Sequence, residues 1–137
     1  MVLEDLTGKI IGAAMRVHSA LGPGLLESAY EACLVFELHR QGLEVARQVE
    51  LPVIYENVRI DCGYRIDLLV QDAVIVELKA VEKLVPLHHA QLLSYLKLSG
   101  KEVGLLINFN VVHLRDGIKR LINTQRPLSL EENGEGN

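Results

Sequence analysis

The chain has no tryptophan, and only two phenylalanines and four tyrosines among 137 residues. A core built on stacked rings is excluded, so the interior must be aliphatic. Long apolar runs are also missing. The longest is a handful of residues, far short of the roughly 20 that a membrane helix requires. Cysteine is scarce: Cys33 and Cys62 lie far apart with no CxxC spacing. A zinc–thiolate cage and a disulfide framework are therefore not expected, and both cysteines read as small buried residues. Excess basic charge is absent as well. A net charge of −4 argues against an indiscriminate grip on nucleic acid. It does not exclude an enzyme acting on nucleic acid, because carboxylates that hold a divalent cation lower the formal charge. The opening stretch, MVLEDLTGKI, carries acidic residues and no apolar block, so a signal peptide is not expected and a cytoplasmic location is.

What the chain does have is aliphatic content. Hydrophobic residues make up 49% of it, enough for a globular fold and too many for disorder. One domain is expected over residues 1–125. The polar end, 126–137, closing in EENGEGN, reads as a flexible tail.

Leu3, Leu6, Ile10, Ala13, Val17 and Leu21 recur at helical spacing, and Gly22-Pro23-Gly24 stops the run. A second helix is predicted over about 25–41, with apolar residues around most of its circumference (Leu26, Cys33, Phe36, Leu38), hence well buried. From Arg47 the period becomes two. One strand is predicted over about 47–55, with Pro52 favouring a sheet edge. A turn at Glu56-Asn57 leads to a second strand, about 58–70, bent at Gly63. The Gln71-Asp72 turn leads to a third, about 73–80. A helix over about 87–98 ends at Gly100, and 102–110 is a short apolar strand. Residues 111–122 read as a further strand, or a strand with a short helix around Asp116-Gly117. The order α-α-β-β-β-α-β predicts an α/β sheet, in which the crossover helix permits one parallel pair.

The stretch DLLVQDAVIVELKA carries Asp67, Glu77 and Lys79 on strands that otherwise look buried. Glu77 and Lys79 are two apart and share a face; Val74, Val76 and Leu78 make the other. Asp67 shares a face with Arg65 and Leu69, opposite Tyr64, Ile66, Leu68 and Val70. If the 71–72 turn makes the strands neighbours, one register sets Asp67 beside Glu77 and Lys79. Paired carboxylates raise each other's pKa, and a divalent cation relieves the repulsion. Oxygen ligands suit Mg²⁺ or Mn²⁺. A nearby lysine orients water or stabilises charge on a phosphate, as phosphodiester hydrolysis requires. A solvated face with surface ion pairs stands as the other reading of the same three residues.

Gln91 and Tyr95 are four apart on one helical stripe, either a plain amphipathic boundary or a pair beside the metal. Glu27 opens the second helix, where the dipole favours a carboxylate as a cap. Tyr30 lies on its side. His18, near the end of the first helix, is either structural or a metal ligand.

The segment Gly24-Leu25-Leu26-Glu27-Ser28-Ala29-Tyr30 resembles the motif that names the GxxExxY protein family. The resemblance continues in order through YRIDLLV, VIVELKAVEKL, HHAQLLSYLKL and GLLINFN, covering about Leu6 to Ile122. That family looks like a compact branch of the PD-(D/E)xK nuclease-like superfamily. The resemblance implies a restriction-endonuclease-like core, a central mixed β-sheet flanked by helices. It implies Asp67 and Glu77 as metal-binding carboxylates, with the Leu78 carbonyl a further candidate, and Lys79 as the catalytic lysine. Gln91 and Tyr95 match a Q-x-x-x-Y element, Glu27 the helix glutamate, and His18 an N-terminal histidine ligand. One departure is that Ile66 stands where the superfamily name has proline.

The expected function is hydrolysis of phosphodiester bonds by a Mg²⁺- or Mn²⁺-dependent nuclease, on DNA rather than RNA. A homodimer or protein partner is compatible with it, and no membrane is involved. The competing readings are a non-catalytic nucleic-acid- or protein-binding module on the same fold, and a structural protein that self-associates through an apolar face or an edge strand.

Overall fold

A computed structural model describes residues 2–124; the expected tail lies outside them. Helix α1 (Leu3–Leu21) buries Leu6, Ile10, Ala13, Ala14 and Val17, the stripe its sequence period predicts. Gly22 ends it with a φ of 70°, which a side chain would resist, and its N–H donates to the His18 carbonyl. Helix α2 (Glu27–Arg40) starts two residues later than expected, because Leu26 is extended and serves as the N-cap. It is also less buried than its composition suggested: Leu26 and Phe36 face solvent. The helix packs on one side only, so its apolar circumference exceeds what the sheet covers.

Seven strands follow in place of the expected four or five. They are β1 (Val45–Glu50), β2 (Val53–Tyr55), β3 (Val58–Ile60), β4 (Arg65–Val70), β5 (Val74–Lys79), β6 (Val103–Asn108) and β7 (Ile118–Ile122). Helix α3 (Pro86–Ser99) joins β5 to β6, and a 3₁₀ turn at Leu114–Gly117 precedes β7. The predicted 47–55 strand breaks at Leu51-Pro52, and the predicted 58–70 strand breaks across 61–64. Leu51 donates to the Tyr64 carbonyl, closing the base of a separate β2–β3 hairpin. Pro52 has no N–H to extend the β1 ladder, so the chain leaves the sheet there. Cys62 falls in this excursion and is exposed, contrary to the buried position expected; Cys33 is half-buried. The two short turns are as read: Glu56, Asn57, Gln71 and Asp72 all have positive φ, as tight hairpin turns need.

The main sheet has the order β1-β4-β5-β6-β7, and β1 is an edge. All its pairs are antiparallel except β5–β6, which is parallel, as a helical crossover demands. Helices α1 and α2 cover one face, where Leu68, Val70, Val76, Leu78, Leu105 and Ile107 meet Ile10, Leu34 and Leu38. Helix α3 covers the other, where Ile75, Leu106 and Leu121 meet Leu92 and Leu96. The predicted restriction-endonuclease-like architecture, a mixed sheet between helices, is the one observed. No helix among the described residues is long and apolar enough to cross a membrane.

Candidate active site

The charged residues converge where the sheet opens. The β4–β5 register pairs Val70 with Val74, Leu69 with Ile75 and Leu68 with Val76, then stops. Asp67 and Glu77 would be the next pair. In place of a backbone bond, the Asp67 N–H donates to Glu77 Oε2 at 2.8 Å, and the Leu78 N–H donates to Asp67 Oδ2 at 2.9 Å. Each carboxylate thus occupies the other strand's backbone and keeps its second oxygen for another partner. On the other side of β4, the β1 register runs from Arg47–Leu68 to Val49–Ile66 and omits Gln48–Asp67. The ladder is interrupted on both flanks of Asp67.

The interruption also changes the phase of β4. Leu68 and Val70 pack toward α1 and α2 as expected, but Ile66 packs with Ile75, Leu92 and Tyr95 on the α3 side. Strict alternation had placed Ile66 with Leu68. It fails because the strand is irregular at the residue between them.

Burial sets the electrostatics. Glu77 is 4% exposed. Desolvation, then the neighbouring Asp67 charge, pushes its pKa up to about 8, against the lowering effects of the Asp67 N–H and Lys79. The Asp67 pKa is raised too, first by desolvation and then by Glu31, while the Leu78 N–H, Lys79 and Gln48 oppose the rise. Glu27 is the first residue of α2, where the helix dipole favours a carboxylate. It is more exposed, yet burial of its carboxyl and the Asp67 charge raise its pKa, with Lys79 opposing. Three carboxylates and one lysine therefore share a field.

Lys79 Nζ donates to Gln91 Oε1 at 3.3 Å, and Gln91 Nε2 donates to the Tyr95 hydroxyl at 3.2 Å. The four-residue spacing on α3 makes this chain of bonds possible. Burial and the Glu77 charge raise the Tyr95 pKa, so its hydroxyl stays protonated. The expected Gln91–Tyr95 stripe thus reaches Lys79.

The GxxExxY stretch has a mechanical reading. Tyr30 is fully buried and stacked on Phe109, with ring centres 4.5 Å apart. Its hydroxyl donates to the Gly22 carbonyl at 2.6 Å and accepts from the Leu25 N–H at 3.1 Å. Gly24, at a φ of 101°, lets the chain turn between them. The motif tyrosine pins the loop that delivers Glu27.

His18 meets a backbone carbonyl. Its Nε2 lies 2.8 Å from the Val111 carbonyl, which can only accept, so that nitrogen carries the proton. It is mostly buried, with its ring centre 6.4 Å from that of Phe109.

Two residues of the neighbourhood escaped the sequence reading. Glu31, buried on α2, accepts from Arg47 Nε at 3.2 Å and from Gln48 Nε2 at 3.1 Å. Gln48 has a φ of 50°, rare for a residue with a side chain inside a strand. That twist sends adjacent strand residues to the same carboxylate. The only sequence signal was a glutamate one turn after Glu27.

The residues fit a divalent cation. Among the described residues, no three or more His, Cys, Asp and Glu side chains form a cluster that would hold a metal by protein ligands alone. Mg²⁺ does not require one: it is commonly held by one or two carboxylates, with water and phosphate oxygens completing the shell. Asp67 and Glu77 offer that pair: burial raises both pKa values, the Asp67 charge adds to the rise at Glu77, and a cation would favour the charged forms.

A mixed sheet between helices, with D…ExK at the point where it opens, defines a nuclease-like α/β protein. The PD-(D/E)XK nuclease superfamily profile matches residues 4–121, and the chain belongs to that superfamily. No curated protein matches it. No solved structure does either.

Proposed function

We propose that this chain is a divalent-metal-dependent nuclease of the GxxExxY branch, hydrolysing phosphodiester bonds in DNA rather than RNA, with the whole site on one domain spanning 1–125. The observation that carries the reading is the Asp67–Glu77 exchange of backbone hydrogen bonds beside Lys79. Surface ion pairs do not explain it. Glu77 is buried, its pKa is raised, and no salt bridge among the described residues neutralises it.

Asp67 and Glu77 would hold Mg²⁺ or Mn²⁺, with the Leu78 carbonyl and Glu27 as supporting ligands. The bound ion would supply Lewis-acid polarisation of the phosphate and lower the pKa of the attacking water. Lys79 orients that water and offsets negative charge on the phosphate. Gln91 holds the Lys79 ammonium and is itself held by Tyr95. His18 supports a loop in this reading and leaves the ligand set to the carboxylates.

The test is calorimetric titration of Mn²⁺ into the wild type and Asp67→Ala, beside cleavage of single- and double-stranded DNA and of RNA with Mg²⁺ or Mn²⁺. Binding lost in the variant, with DNA cleaved by the wild type, is expected. Binding without cleavage of any substrate would favour a non-catalytic module on the same fold. No metal binding with nucleic acid present would overturn the site.

A further inference from the structure

Beyond the carboxylates, the loop that follows β6 raises a separate question. Residues 109–117 are anchored at every stage. The Phe109 N–H donates to the Lys79 carbonyl at 2.9 Å, and the Phe109 ring stacks on Tyr30. Asn108 is buried, and its side chain accepts from the N–H groups of Val81 and Asn110. His18 holds the Val111 carbonyl. Gly117 closes the loop so tightly that a side chain there would collide with the Asn108 carbonyl.

Between these anchors the loop presents residues that the fold does not use. Val112 is 79% exposed. Among the described residues, the side chains of His113 and Arg115 have no hydrogen-bond or ion-pair partner. By contrast Arg16, Arg40, Arg47, Arg59, Arg65 and Lys101 are all paired with carboxylates. Rigid loops with uncommitted polar groups are where ligands bind.

These residues line an open cavity of about 510 Å³. Its opposite wall is the end of α1 and the loop after it, including His18, Ser19 and Pro23. Among the described residues no carboxylate lines it, although acidic residues outnumber basic ones in the chain, 18 to 14. Its donors are the Arg115 guanidinium, the His113 imidazole and the Ser19 hydroxyl, a set that can hold a phosphate. Its apolar groups, Met15, Val112 and Leu114 among them, offer contact to a flat ring. The volume is ample for one nucleotide.

The cavity also lies at the right edge of the sheet. Lys79 and Asn108 are paired last residues of the parallel strands β5 and β6, and the loop starts directly beyond them. In open α/β sheets, ligands gather beyond the carboxyl ends of the strands. The loop pinned by Tyr30 forms one wall and then delivers Glu27 to the carboxylate centre.

We infer that the cavity between the 109–117 loop and the end of α1 is a nucleotide subsite. It takes a phosphate on Arg115 and His113 and the attached base against Val112 and Pro23. The occupant is a nucleotide of a strand that runs on from the Asp67–Glu77 centre. That last step rests on the nuclease reading; the cavity itself does not.

The experiment is fluorescence anisotropy with a short labelled oligothymidylate in chelator, where no cleavage occurs, with free thymidine monophosphate as competitor. Arg115 and His113 are exposed, so Arg115→Glu and His113→Ala should unfold at the wild-type temperature. Arg115→Glu should bind at least about tenfold more weakly, the scale of a lost charge-assisted hydrogen bond. His113→Ala should lose less. Displacement by the mononucleotide at equal concentration would support the cavity and assign it to a free nucleotide. Unchanged binding by Arg115→Glu, or no binding of either probe by the wild type, would overturn it. A wild type that binds through Arg115 yet cleaves nothing with Mg²⁺ or Mn²⁺ would sink the nuclease reading and leave the subsite standing.

Discussion

Asp67 and Glu77 face each other on adjacent strands, yet the Asp67 N–H donates to the Glu77 carboxylate and not to the opposing backbone. A backbone bond there would have cost the fold nothing. The exchange instead buries Glu77 and partly buries Asp67, which destabilises the metal-free protein wherever both are charged. The consequences can be measured.

The first concerns pH. Glu77 has a folded pKa of about 8, above its ordinary value of 4.5. The folded state therefore binds more protons than the unfolded chain between those values. Stability must fall as pH rises through that window and level off above it. Thermal unfolding in chelator should show a midpoint that declines from pH 5 to pH 9. Glu77→Gln keeps an oxygen for the Asp67 N–H and cannot ionise, so its curve should be flatter and lie above wild type at pH 9. Metal binding requires the ionised carboxylates, so affinity for Mn²⁺ should rise over the same range.

Lys79 separates chemistry from metal binding. Lys79→Ala should keep the Mn²⁺ titration and lose cleavage by about a hundredfold or more, the usual scale for a positioned catalytic group. Tyr95→Phe removes only the bond to Gln91, which fixes Lys79 at one remove. A drop of about tenfold or less is expected. A Lys79→Ala protein with full activity would remove it from the reaction.

Gln48 carries strain in a strand, at the position facing Asp67. Glycine adopts a positive φ without penalty, which offsets part of the cost of the lost bonds to buried Glu31, so Gln48→Gly should change stability by no more than about 1–2 kcal/mol in urea unfolding. The same change removes the amide that bonds Glu31 and opposes the rise in the Asp67 pKa. Cleavage should fall by more than the change in stability explains, an outcome that a purely structural role for Gln48 would not give.

Tyr30→Phe tests the motif tyrosine. It strips the hydroxyl from the Gly22 carbonyl and the Leu25 N–H and leaves the stacked ring in place. A loss of about 1–3 kcal/mol is expected by denaturant titration. Cleavage should fall further than the lost stability explains, because the loop it releases carries Glu27.

Much of this was legible in the chain. The α1 stripe, the positive-φ turns and the crossover helix followed from local pattern, because period and turn chemistry act within a few residues. The D…ExK and Q-x-x-x-Y spacings placed side chains on shared faces for the same reason. Strand breaks at Leu51-Pro52 and 61–64 were missed, since an uninterrupted alternation does not say which length of strand finds a partner.

Nearness across strands is a different kind of fact. The sequence by itself determined which groups carry charge, which faces they share and how the helices end. Only the tertiary structure decided that the ladder opens at Asp67, that Ile66 changes sides, that Gln48 twists toward Glu31 and that His18 holds a carbonyl. Local propensity is summed over neighbours in sequence. Register, burial and the pKa of a carboxylate are set by neighbours in space, and those exist only once the sheet has formed.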